Sequence, residues 1–269
     1  MKYAICNETF EGWDHARVCE RIAELGYTGL EMAPFTLASR ITDVSAARRA
    51  ELRRQAEAVG VQIIGLHWLL AKTEGFHLTS PDAEVRKRTG EYFAELARAS
   101  ADLGGDILVL GSPFQRNRAE GMSVEQAHDL AADTLRHCLP ALEAGRVYLC
   151  LEPLTPVETN YMNTAADGVD LIRKLAHPFV KLHLDVKAMS AESAPTPDVI
   201  RANREFFHHF HANDPNKRGP GFGDTDFQPI FGALRDVNYS GWVSVEVFDY
   251  TPDPDTIARE SIRYMRECE

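Results

Sequence analysis

The sequence lacks a disulfide pattern, a membrane-length apolar run and an excess of positive charge. Its five cysteines form no Cys-x-x-Cys pair and are odd in number, which is typical of reduced thiols. No apolar run approaches the length of a membrane span. The segment from Met1 to Cys6 is too short and too polar for a signal peptide. These absences predict a cytoplasmic protein that has no membrane partner.

The charge balance argues against a nucleic-acid partner. The chain has 29 Lys and Arg against 40 Asp and Glu, which gives a net charge of -11. An acidic chain gains little from counterion release on DNA. The 269 residues are 44% hydrophobic, which suffices for a sizeable core. No linker or composition shift divides the chain, so we predict one domain over residues 1–269.

Apolar runs and amphipathic segments alternate along the whole chain. Strands are predicted over 2–6, 28–32, 61–68 and 106–110, followed by four runs that end at 152, 185, 211 and 246. Helices are predicted over about 14–25, 44–59, 80–103, 123–144, 164–176, a short segment from 196, 226–237 and 255–268. Eight strand-then-helix units predict a single α/β domain, a closed (β/α)₈ TIM barrel. An open doubly wound sheet fits less well, because its ligand would lie at one switch point.

Four consecutive strands end in side chains of the metal-ligand type. Apolar runs stop at Glu152, Asp185, His211 and Glu246. A single Glu after a strand more often caps a helix or forms a loop salt bridge. Four together on neighbouring strands favour a site, because three clustered carboxylates repel one another unless a cation joins them. Hard oxygen ligands favour one divalent ion, Mn²⁺ first, with Mg²⁺, Co²⁺ or Zn²⁺ also open.

The residues around these four positions carry a family resemblance. Leu-Glu152-Pro, Leu-Asp185-Val, Phe-His211-Ala-Asn-Asp and Val-Glu246-Val resemble the xylose isomerase-like TIM-barrel superfamily. The similar branch is that of the sugar phosphate isomerases and epimerases, which includes ketose 3-epimerases, hydroxypyruvate isomerase and inosose dehydratase. The resemblance covers essentially the whole chain. It is specific for the superfamily and weak for the substrate.

The resemblance implies roles for individual residues. In the epimerases, the residues that match Glu152 and Glu246 bind the metal and also act as the catalytic acid/base pair, whereas those that match Asp185 and His211 only bind it. The residue that matches Glu158 contacts substrate near the carbonyl. A basic side chain that points at substrate oxygens matches Lys217, although neighbouring Arg218 is an alternative.

The implied chemistry is proton transfer next to a carbonyl. A divalent ion chelated by substrate oxygens stabilises the enediolate that forms, and a carboxylate within reach of the C–H acts as base. A proton returned on the opposite face gives epimerisation, and a moved carbonyl gives isomerisation. Loss of β-hydroxide would make the enzyme an inosose-type dehydratase. We therefore predict a metal-dependent sugar isomerase or epimerase of carbohydrate metabolism, with a dehydratase as the alternative.

The sequence departs from the epimerase pattern at one position. The histidine found three residues after the metal Asp is here Ala188, and Lys187 either supplies the lost polar contact or is a loop lysine. His67 either lines the sugar pocket or is a structural histidine.

An AP-endonuclease-like hydrolase is less favoured, because Gly111 and Ala188 stand where that three-zinc class needs ligands. Relatives in this superfamily often form dimers, so the oligomeric state of this protein is left open, with a homo-oligomer as one alternative.

Overall fold

Eight parallel strands close into a barrel in which each strand pairs with its sequence neighbours. The computed structural model describes residues 1–269. The strands are β1 (Lys2–Cys6), β2 (Gly29–Met32), β3 (Gln62–Leu66), β4 (Ile107–Leu110), β5 (Tyr148–Leu151), β6 (Val180–Asp185), β7 (Phe207–Ala212) and β8 (Trp242–Val245). β8 pairs in parallel with β1 and closes the ring. The predicted (β/α)₈ fold is confirmed.

Ten helices connect the strands. They are α1 (His15–Leu25), α2 (Ala46–Glu57), α3 (Ala83–Leu103), α4 (Val124–Arg136), α5 (Leu139–Gly145), α6 (Ala165–Leu175), α7 (Val186–Met189), α8 (Thr196–Ala202), α9 (Gln228–Asp236) and α10 (Pro254–Cys268). None of them is both long enough and apolar enough to cross a membrane.

Local signals in the sequence explain where several helices begin and end. The carboxylate of Asp14 accepts a hydrogen bond from the Ala16 N–H and starts α1. That helix ends at Gly26, whose φ of 95° suits a residue without Cβ. Thr164 and Asp167 form a reciprocal capping box that starts α6.

Three details differ from the predicted elements. The helix predicted over 123–144 is two helices, α4 and α5, because Pro140 has no N–H to donate and its ring clashes with the preceding turn. The helix predicted from 80 has Asp82 as its N-cap, so Pro81 lies before its first turn. The short α7 was not predicted, and the side chain of Asp185 caps it.

The barrel interior changes from apolar to polar along the strands. On β4, Leu108 and Leu110 join the cluster of 68 buried residues around the barrel, whereas Ile107 and Val109 join a cluster of six. This alternation is what a strand with helices on one face and the barrel axis on the other requires. Fully buried polar side chains also occur on the strands: Glu31, His183, His209 and His211. Burial of such groups is costly unless they are paired, which marks this part of the barrel as functional.

All five cysteines carry free, buried thiols. Burial raises the pKa of the thiols of Cys6 and Cys150, which extend from barrel strands. A thiol that resists deprotonation is a poor nucleophile. The buried cysteines therefore fit a packing role.

Candidate metal centre and active site

The four predicted metal ligands lie at the carboxyl ends of β5 to β8. Glu152 directly follows β5, Asp185 ends β6, His211 lies in β7 and Glu246 directly follows β8. Their exposed fractions are 4%, 1%, 0% and 1%. The register between β6 and β7 pairs Asp185 with His211. Active sites of (β/α)₈ barrels are built at this end of the strands.

The four side chains converge around His211. The potential ligand atoms of Glu152, Asp185 and His211 lie within 4.8 Å of one another, together with a ring nitrogen of His183. Nδ1 of His211 lies 3.2 Å from Oε2 of Glu246. The structure therefore brings together residues that are separated by up to 94 positions along the chain, from 152 to 246.

Two neighbours fix the orientation of the His211 ring. Its Nε2 donates to Oε2 of Glu31 over 3.0 Å, and the same oxygen accepts from Nε2 of His209 over 3.0 Å. Nδ1 of His211 is buried and has no hydrogen-bond partner. The carboxylates of Glu31 and Glu246 outweigh burial and raise the pKa of His211 well above its ordinary value. With Nε2 held by Glu31, Nδ1 is the ring nitrogen that faces Glu246, and this is the arrangement in which a histidine binds a metal through Nδ1.

Hydrogen bonds also hold two of the carboxylates. Oδ1 of Asp185 accepts from the Ala188 N–H over 2.7 Å, and Oδ2 accepts from the Asn213 amide over 2.5 Å. Oε1 of Glu246 accepts from the Trp68 indole N–H over 2.8 Å. Side chains that are fixed in this way pay little entropy when they bind a ligand.

His67 supports Glu246 at the carboxylate oxygen that His211 does not face. Its Nδ1 lies 3.1 Å from Oε1 of Glu246, and its Nε2 lies 2.9 Å from Oε2 of Glu8. Burial lowers the pKa of His67, but the two carboxylates outweigh burial and raise the pKa well above its ordinary value. Each ring nitrogen thus faces a carboxylate, and the ring holds Glu246 in place.

The carboxylates are electrostatically unfavourable on their own. Burial raises the pKa of Glu152 well above its ordinary value, and the charges of Glu246 and Asp185 raise it further. Burial raises the pKa of Asp185 to about 6, although Lys187 opposes the shift. A divalent cation would relieve this repulsion. Three carboxylates with an unpartnered imidazole nitrogen fit such an ion.

A cavity of about 260 Å³ opens onto Glu152 and Glu246. Its polar wall includes Glu158, Lys187 and Lys217, and its apolar wall includes Trp68, Leu154, Phe114 and Phe248. The mixture of a few polar groups with aromatic side chains is typical of sites for small molecules.

The residues predicted to bind substrate divide into two groups. Glu158, Lys187 and Lys217 line the cavity, whereas His67 is fully enclosed and Arg218 lies outside it. Nζ of Lys187 lies 2.8 Å from Oε1 of Glu158 and 4.9 Å from the centre of the Phe248 ring. Lys187 is only 8% exposed and belongs to α7, so it is not a loop lysine.

Arg218 faces away from the cavity. Its guanidinium donates to the carbonyl and hydroxyl oxygens of Thr251 over 2.7 and 2.8 Å. Lys217, which has a left-handed φ of 72°, lines the cavity instead. The sequence offered Lys217 and Arg218 as alternatives for the basic residue that contacts substrate oxygens, and Lys217 is the one that lines the cavity.

Two residues of the site carry no sequence signal of their own. Arg116 is fully buried, and its guanidinium donates to the backbone carbonyls of Ser112, Glu152 and Leu110. A Cβ added at Gly111 would lie 1.6 Å from Oε2 of Glu152. A lone Arg or Gly in a polar loop matches no motif, so only the assembled structure reveals their positions.

The fold and the site define a parallel (β/α)₈ barrel whose polar cluster of histidines and carboxylates lies at the carboxyl ends of the strands. Residues 19–268 match the family described as xylose isomerase-like TIM barrel. The chain therefore belongs to this family, and within it to the sugar isomerase and epimerase branch that includes the ketose 3-epimerases.

Similar proteins are sugar epimerases. The chain is 31% identical to a D-psicose 3-epimerase of Agrobacterium fabrum, over 92% of this chain and 85% of that protein. It is 24% identical to a 3-dehydro-D-guloside 4-epimerase of Escherichia coli over 100% of both chains. A crystal structure of a D-psicose 3-epimerase in the presence of D-fructose superposes with a TM-score of 0.88 at 25% identity, covering 100% of this chain and 99% of the other.

Proposed function

We propose that this protein is a divalent-metal-dependent sugar epimerase that transfers a proton at a carbon next to a carbonyl. The observation that supports this most strongly is the convergence of Glu152, Asp185 and Glu246 on His211 beside a small cavity. The relatives' names point to the same reaction class, since they act on D-psicose and on a 3-dehydro-guloside.

The protein side chains have distinct proposed roles. Glu152, Asp185, His211 and Glu246 hold the ion, with Mn²⁺ the preferred candidate because most of the donors are carboxylate oxygens. When bound, the ion supplies positive charge for the oxyanion that forms as the substrate loses its proton. Glu152 and Glu246 both line the cavity, and we assign the proton acceptor and proton donor to this pair.

Glu158, Lys187 and Lys217 are proposed to bind the substrate's oxygens. The Glu158–Lys187 pair presents a donor and an acceptor close to the acid/base pair, and Lys217 adds a second cation on the cavity wall. Lys187 then supplies the polar contact that Ala188 cannot make. His67 has a positioning role, because it holds Glu246 and does not line the cavity.

Deuterium exchange with a panel of sugars tests this function. Protein loaded with Mn²⁺ is incubated in D₂O with D-psicose, D-fructose and a 3-dehydro-glucoside, and the products are followed by NMR. Epimerisation predicts deuterium at the carbon next to the carbonyl without loss of water. Loss of water would instead support an inosose-type dehydratase, and the absence of any exchange would contradict both.

Replacement of Glu152 by Gln tests the assigned acid/base pair. General acid–base groups contribute about 10²–10⁴-fold to rate, so E152Q should lose at least about 100-fold in kcat while its circular dichroism is unchanged. The exposed Glu74 provides the matched control, and E74Q should retain wild-type activity. A fully active E152Q protein would refute the assignment.

A further inference from the structure

A second cavity adjoins the first at the same end of the barrel. It has a volume of about 760 Å³ and is lined by residues that follow β1, β2, β3 and β8. Trp68 and Lys72 belong to the walls of both cavities. The second cavity is about three times larger than the one beside Glu152 and Glu246, and the two meet at the side chains of Trp68 and Lys72.

A row of three aromatic rings runs from one cavity to the other. The ring of Phe248, in the first cavity, lies 5.7 Å from that of Trp68, and the ring of Phe35, in the second, lies 5.9 Å from that of Trp68. The indole N–H of Trp68 donates to Glu246, so the middle of the row is tied to the catalytic cluster. Nζ of Lys72 lies 4.1 Å above the Phe35 ring, which steadies the far end.

Trp68 and Lys72 also share an unusual backbone conformation. Their φ angles are 53° and 59°, in the left-handed region that side chains rarely adopt. Such conformations cost of order 1 kcal/mol or more and occur most often at ligand sites. Both residues that the two cavities share therefore have a backbone held in a costly conformation.

The charges in the second cavity favour a neutral, hydroxyl-rich ligand. Its wall carries the carboxylates of Glu11 and Asp14 and the cations of Arg48 and Lys72, whereas the carboxylate of Glu8 is paired with His67. A wall whose charges balance offers no excess of positive charge for a phosphate. Donors and acceptors of both kinds beside Trp13 and Phe35 suit a sugar ring, which presents hydroxyls at its edge and C–H groups at its face.

We propose that the substrate is a glycosylated keto sugar, with its carbonyl-bearing unit at Glu152 and Glu246 and its second sugar unit in the larger cavity along the aromatic row. This inference rests on the proposed function. The glycosidic bond is not broken: one proton leaves the carbon next to the carbonyl and one proton returns, so the reaction needs no co-reactant.

Two matched substrate pairs test the inference. The first pair is D-fructose and 6-O-α-D-glucosyl-D-fructose, and the second is methyl 3-dehydro-D-glucoside and a 3-dehydro-disaccharide. Deuterium incorporation is measured with Mn²⁺-loaded full-length protein. In at least one pair, kcat/KM for the disaccharide should exceed that for the smaller substrate about tenfold or more, mainly through a lower KM. Equal or higher kcat/KM for the smaller member of both pairs would overturn the inference while leaving the proposed function intact.

Variants of aromatic residues in the two cavities test whether the preference for a disaccharide comes from the larger cavity. Phe35 lines only the larger cavity, so F35A should lower the ratio of disaccharide to monosaccharide kcat/KM about fivefold or more. Phe114 lines only the smaller cavity and is 77% exposed, so F114A should leave that ratio within about twofold. W13A is the second test variant if F35A fails to fold. An unchanged ratio in a folded F35A or W13A protein would contradict the inference, and no exchange with any of the four sugars would instead contradict the proposed function.

Discussion

Gly111 leaves the space that the carboxylate of Glu152 occupies. A Cβ at this position would lie 1.6 Å from Oε2 of Glu152 and 2.9 Å from its carboxyl carbon. Even the smallest side chain must therefore displace the carboxylate. The same clash explains why this chain cannot carry a histidine ligand here, as an AP-endonuclease-like site would need, without moving Glu152.

The variant G111A should lose activity without losing its fold. Displacement of a catalytic group by about 1 Å costs on the order of 100-fold in rate, and we expect a comparable fall in kcat together with weaker Mn²⁺ binding. The control is G232A, because a Cβ at this helical glycine meets only one atom, at 3.8 Å. That control should be fully active and more stable by about 0.5–1 kcal/mol. Wild-type kcat in G111A would show that Glu152 has freedom to move.

At the scale of elements, Arg116 joins the carboxyl ends of two strands. Its guanidinium donates to the carbonyl of Leu110 on β4 and, over 2.6 Å, to that of Glu152 just after β5. Burial lowers its pKa to about 10, and the group remains charged at neutral pH. A buried cation whose hydrogen bonds go to three backbone carbonyls is costly to remove, because each carbonyl then loses a charged donor; that of Leu110 keeps another, the Glu152 N–H.

The variant R116M should therefore be destabilised by about 3 kcal/mol or more, as measured by urea unfolding. Its kcat should also fall, since the backbone of Glu152 loses its support. Arg118 is the matched control, because it also donates to backbone carbonyls, those of Asn160 and Met122, but is only half-buried. R118M should lose about 1 kcal/mol or less. Equal losses in the two variants would mean that Arg116 has no special role.

For the whole molecule, ion binding should raise thermal stability. An ion that binds only the folded state at a hundredfold excess over its Kd contributes about 2.7 kcal/mol. In a chain of this size that corresponds to a rise in Tm of about 5–10 °C. Calorimetry with and without Mn²⁺ measures the rise, and D185A, which lacks one ligand, should show little of it. An equal rise in both proteins would place the ion elsewhere.

The rise in Tm should depend on pH. Burial raises the pKa of Asp185 to about 6 and that of Glu152 above its ordinary range, so the folded state binds these protons more tightly than the unfolded state. Without the ion, the raised pKa of Asp185 therefore makes the protein less stable as pH rises from the ordinary carboxyl value of 3.8 through about 6. Protons and the ion compete for the same oxygens, so the Mn²⁺ effect should be full near pH 8 and fall as pH drops below about 6. A constant effect across this range would exclude these carboxylates as ligands.

The sequence predicted the barrel and the convergence of four side chains for one physical reason. In a parallel barrel all strands point the same way, so polar residues that end β5 to β8 must lie on the same rim. Glycines such as Gly26 set helix ends because only the local backbone is involved. The family membership is confirmed, whereas the roles of Glu152, Asp185, His211 and Glu246 stay predictions.

What the sequence did not predict depends on contacts between distant segments. Arg116 and Gly111 act through the backbone and the side chain of Glu152, and neither contact has a periodic pattern. The directions of Lys217 and Arg218 depend on a left-handed residue in an irregular loop. The prediction of one helix over 123–144 took no account of Pro140, which in the structure lies in the first turn of a new helix.

Titration of metal-depleted protein with Mn²⁺, followed by electron paramagnetic resonance of the free ion, measures the proposed centre most directly. Wild-type protein should bind one Mn²⁺ per chain, and D185A and H211A should bind at least about 10-fold more weakly. Absence of tight binding in the wild type, or unchanged binding in both variants, would show that these side chains do not hold an ion together.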